Sequence, residues 1–90
     1  MRIEALNKDN YDTWKLQMQA LLVKNDAWTY VSGECVKPEG DEAAAAVRQW
    51  KINDHKAKSD IILSINPSEL KQIKGCETSR DVWLKLENIY

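Results

Sequence analysis

The residue types that do chemistry are sparse in this chain and poorly placed for it. The one histidine, His55, lies in Asn53-Asp54-His55-Lys56. At 100° per residue it sits roughly 140° around a helix from Trp50, which points it to solvent. No serine has the glycine context of a nucleophile elbow. The carboxylates stand singly except for Glu39, Asp41 and Glu42. That trio lacks a calcium-loop pattern. It precedes the alanines of 43–46, where carboxylates favour a helix N-terminus through its dipole. The three glycines form no phosphate cradle. Cys35 and Cys76 are too few and too far apart for a metal knuckle. The residues therefore predict a chain that is not an enzyme, with no catalytic residue, no metal site and no cofactor.

Charge narrows the partners. Thirteen basic and 14 acidic residues give a net charge of −1, so there is no global pull toward nucleic acid or membrane. Arg48, Lys51, His55 and Lys58 share one side of a helix. Such a face can contact phosphates, and it is also what the solvated side of an amphipathic helix looks like. The balanced total favours the second reading and leaves Arg48, Lys51 and Lys58 as a candidate basic surface, with nucleic-acid binding a distant alternative. No run of about 18 apolar residues exists to span a membrane, and the N-terminus lacks a signal-peptide stretch. Two cysteines in this setting read as reduced thiols of a cytosolic or nuclear protein.

Hydrophobic residues at 43% and charged residues at 30% describe a globular chain. Residues 1–90 suffice for one domain, which buries about 60–65% of the surface its unfolded chain exposes. Stability should be thin, and a partner could add to it. The end, Leu86-Glu87-Asn88-Ile89-Tyr90, is still apolar and periodic, which suggests a piece of a longer protein.

Residues 2–8 read as extended, with Ile3 and Leu6 as anchors. Asn10 can cap a helix running to about Asn25. Tyr11, Trp14, Met18, Leu21 and Leu22 fall on one stripe of it; Leu16, Ala20 and Val23 fall on the opposite side. An apolar stripe on both sides of a helix calls for a central position or a covering chain. A short helical turn from Asn25-Asp26 through Tyr30 ends at Ser32-Gly33, and residues 33–41 form a loop. A second long helix is expected over 41–65, with Ala43, Val47, Trp50, Asp54, Ala57, Ile61 and Ile65 on one stripe. Asn66-Pro67-Ser68-Glu69 reads as N-cap, proline and third-position glutamate, opening a short helix with Leu70 and Ile73 inward and Gly75 as its stop. Thr78-Ser79-Arg80-Asp81 is a capping box with aspartate in place of glutamate. It opens a last helix with Val82, Trp83, Leu86, Ile89 and Tyr90 on one face. The fold class is all-α: about five helices, two long and three short.

The predicted core is Tyr11, Trp14, Met18, Leu21, Trp50, Ala57, Ile61, Val82, Trp83 and Leu86. Trp14, Trp50 and Trp83 are expected to form one connected core, with Trp28 and Tyr30 part exposed. Asp54 stands out, because a lone charge on a core stripe is costly to bury. Either the helix is exposed there, or the carboxylate accepts bonds from a cap, a tryptophan N–H or a lysine; the second is favoured.

These residues carry a resemblance. Leu6, Asn10-Tyr11, Trp14, Met18 and Leu21-Leu22 resemble the opening of copia-type LTR retrotransposon Gag polypeptides, and Trp28 is similar to the residue that follows. Trp50, Asp54, Ala57 and Ile61 resemble the family's second block, and Thr78, Asp81, Trp83, Leu86 and Tyr90 its third. The resemblance covers almost the whole chain, in order. It implies a capsid-like helical domain, similar to the N-terminal domain of retroviral capsids, that self-associates around packaged RNA and has no catalytic residues here. The Cys-His knuckle that grips RNA in such proteins is absent from this sequence, so RNA is left to regions outside this chain.

The expected partner is the chain itself, as a homo-oligomer in particle assembly. The alternative is a domesticated host copy acting as an adaptor for a peptide or helix of a host protein. The second stripes supply the candidate interface: Leu16 and Val23 on the first long helix, Ile52 and Leu63 on the second. A short helix covering one of these stripes is the competing expectation.

Overall fold

The computed structural model describes residues 3–41 and 44–90. Glu42 and Ala43, placed above in the acidic cluster and on the core stripe, lie outside the described residues, as do Met1 and Arg2. Among the described residues, four α-helices and one 3-10 helix form: α1 (Tyr11–Lys24), α2 (Trp28–Ser32), α3 (Ala45–Leu63), the 3-10 helix (Pro67–Ile73) and α4 (Ser79–Ile89). Among the described residues the one β-type contact is an isolated parallel bridge between Leu6 and Ile65. The fold is all-α, with two long and three short helices.

The extended N-terminal segment explains where α3 stops. The Leu6 N–H donates to the Ser64 carbonyl at 2.9 Å, and the Asn66 N–H donates to the Leu6 carbonyl at 3.0 Å. The Ser64 carbonyl also accepts the Trp14 indole N–H at 2.8 Å. The chain turns out of α3 at Ser64, earlier than the expected Ile65. Its start also falls later than Asp41: Ala44 occupies the N-cap position in extended geometry, without a side-chain cap.

Local signals at the other ends are mixed. Thr78 and Asp81 form the expected capping box. Asn66 accepts from the Ser68 N–H with Pro67 in the first turn, but the Glu69 carboxylate does not reach back to complete a box. It receives the Tyr90 hydroxyl instead. Asn10 holds the N-cap position of α1 yet makes no side-chain cap. Its amide accepts the Asn7 N–H and donates to the Ala5 carbonyl, bracing the N-terminal segment. Helix α1 ends in a Schellman-type turn, with the Ala27 N–H on the Leu22 carbonyl and the Asp26 N–H on that of Val23. Asp26 takes the left-handed position at φ 58°.

The core gathers Leu6, Trp14, Met18, Leu22, Val31, Ala57, Ile61, Val82, Trp83 and Leu86 with smaller neighbours; Tyr11 and Leu21 pack half-buried against it. Trp14 stacks on Trp83 at 5.9 Å between centroids, and Trp28 meets Trp83 edge-on at 5.3 Å. The expected third member, Trp50, is not part of this cluster. It is half-buried, its ring lies against Tyr30 at 6.0 Å, and its N–H donates to the Cys35 carbonyl at 2.9 Å. Trp50 lies nearer the start of α3, where the 33–41 loop returns, and it fastens that loop. Trp28 takes the place assigned to it. Ile89, placed on the inner face of α4, is exposed.

Candidate interaction surface

The inner face of α1 buries Trp14, Met18 and Leu22. Half a turn away, Leu16, Ala20 and Val23 are exposed, Leu16 at 73%. With Gln19 and Lys24 they line a shallow depression of about 380 Å3. Helix α3 repeats the arrangement. Val47, Asp54, Ala57 and Ile61 are buried, while Ile52 and Leu63 are exposed on the far side, Leu63 at 84%. Eleven residues separate those two, about 16 Å along a helix. The short helices do not cover either stripe: α2 packs on α1, α3 and α4, and the 3-10 helix packs on α4. All four residues singled out from the sequence stand in solvent.

The basic surface is less coherent than its spacing suggests. Arg48 and Lys51 are exposed, but Lys58 is half-buried. Its ammonium donates to the Cys76 carbonyl at 2.8 Å and toward that of Glu77 at 3.4 Å. Those carbonyls precede α4, so Lys58 ties α3 to the approach of that helix. It is removed from the candidate phosphate-contacting set.

His55 is exposed and borders an open polar cleft of about 710 Å3, with Asp26, Tyr30, Asn53 and Asp60 around it. The Asn53 amide donates to the Tyr30 hydroxyl at 2.9 Å. Among the described residues no group of histidine, cysteine and carboxylate side chains converges as metal ligands. Both cysteines are free thiols.

Asp54 has a positional role. It is 5% exposed, and its carboxylate accepts the Ser79 hydroxyl at 2.6 Å and the Ser79 N–H at 3.2 Å. Ser79 is the first residue of α4, so a carboxylate from α3 meets the orphan donors and positive end of that helix. Next along, Arg80 donates to the carbonyls of Val31 and Ser32 at the end of α2. The four residues 78–81 therefore cap their own helix and tie it to α3 and α2. The sequence offered the capping box; the partners of Ser79 and Arg80 had no local signal.

At the other end of α4, Tyr90 stacks on Tyr11 at 5.4 Å and gives its hydroxyl to Glu69. Burial, helped by the Glu69 carboxylate, pushes the Tyr90 phenol up to about 12. The hydrogen bond from Tyr90 holds the Glu69 carboxyl below its ordinary value. Three exposed apolar residues escaped the sequence reading as surface features: Val36, Leu84 and Ile89. Val36 lies in an irregular loop, where periodicity says nothing.

Residues 18–90 match the family described as gag-polypeptide of LTR copia-type. The chain belongs to that family. The matched stretch holds α2, α3, the 3-10 helix and α4, and the second half of α1. This Gag chain is also 27% identical, over 89 residues, to a retrovirus-related Pol polyprotein from transposon TNT 1-94 of Nicotiana tabacum. That alignment covers 98% of the chain and 6% of the tobacco polyprotein, so the chain spans a small part of that relative's length. No solved structure matches it. The family assigns a structural retrotransposon polypeptide, and the geometry is in keeping with one: the buried Asp54 and Ser79 brace helices, and exposed apolar residues stand among the polar ones on the outward sides of α1 and α3.

Proposed function

We propose that this Gag chain is a structural, non-catalytic module that assembles with copies of itself in retrotransposon particle formation. The observation that carries the reading is the uncovered apolar stripe of Leu16, Ala20 and Val23 on α1, together with exposed Ile52 and Leu63 on the outward side of α3, in a chain of a structural family. Single exposed apolar residues are ordinary; repeated ones on the outward side of two long helices are a contact surface. Burying them between copies also supplements the thin core of a chain this short. RNA is left to regions outside this chain, and the balanced charge is in keeping with that.

The test is mass against concentration, with circular dichroism alongside, for the unmodified chain and for Val23→Glu and Ile52→Glu. The unmodified chain should form a concentration-dependent dimer or larger species. Both variants should stay helical and shift to monomer. A strictly monomeric unmodified chain overturns self-assembly and moves the assignment to an adaptor that receives a helix of another protein. Collapse of the variants shows that the stripes belong to the core.

A further inference from the structure

We draw no further inference here: the strongest candidate, the groove between α3 and the 3-10 helix that Ile62, Leu70 and Ile73 line and Lys71 and Lys74 border, carries none because nothing in the structure shows what covers it.

Discussion

Asp54 on α3 holds Ser79 at the start of α4 by three contacts: 2.6 Å to its hydroxyl, and 3.2 and 3.3 Å from its N–H to the two carboxylate oxygens. Both residues are buried. Removing the carboxylate strands a buried hydroxyl and a helix-terminal N–H. Asp54→Ala should therefore cost about 2–4 kcal/mol, lowering the melting temperature by roughly 10 °C or more in a domain this small. Ser79→Ala should cost less, because its N–H keeps the carboxylate partner. A double-mutant cycle should show a coupling above about 1 kcal/mol; additive losses mean that the two residues do not act as a unit.

The tryptophans should separate by burial. Trp14 is fully enclosed and stacks on Trp83, so Trp14→Ala should lose about 3–5 kcal/mol. Trp50 is half-buried outside that cluster, and Trp50→Ala should lose nearer 1–2 kcal/mol. Denaturant midpoints at constant slope measure both. Equal losses at the two positions contradict the split.

Asp26 sits at φ 58° in the turn that ends α1. An L side chain is strained there, and glycine is not. Asp26→Gly should stabilise the chain by about 0.5–1 kcal/mol, seen as a rise in melting temperature. A fall means that the exposed carboxylate has a partner worth more than the strain.

The Tyr90 phenol, raised to about 12, gives a pH signature. Its folded value lies above the unfolded value near 10. The stabilisation is therefore fully present below pH 10 and is lost as pH rises through the window from 10 to about 12. Glu69 works at the opposite end. Its value is lowered, so its contribution is present above the ordinary carboxyl range and fades as pH falls through it. Melting temperatures of the unmodified chain and Tyr90→Phe from pH 9 to 12 should converge as pH rises. A constant difference rules out the Tyr90–Glu69 bond as its source.

The sequence by itself determined the order of the helices and most of their inner faces, with Trp50 and Ile89 the departures. Local rules govern those features. Trp14, Met18 and Leu22 recur at helical spacing, Thr78 and Asp81 cap within four residues, and Gly33 takes the left-handed position at φ 88°. The outward stripes of Leu16, Val23, Ile52 and Leu63 were legible for the same reason, since the side opposite a buried stripe follows from 3.6-residue periodicity. Only the tertiary structure decided which partner each polar group finds. Asp54 meets Ser79 across 25 residues of chain, Trp14 donates to Ser64 across 50, and Arg80 reaches Ser32 across 48. Nothing local selects among the acceptors that could satisfy a buried donor; packing does. The same holds for Trp50, whose helical position matched a core residue while the returning 33–41 loop, with no periodicity of its own, claimed its indole N–H. Spacing reports which way a side chain points from its own helix. What it meets there depends on elements distant in the chain.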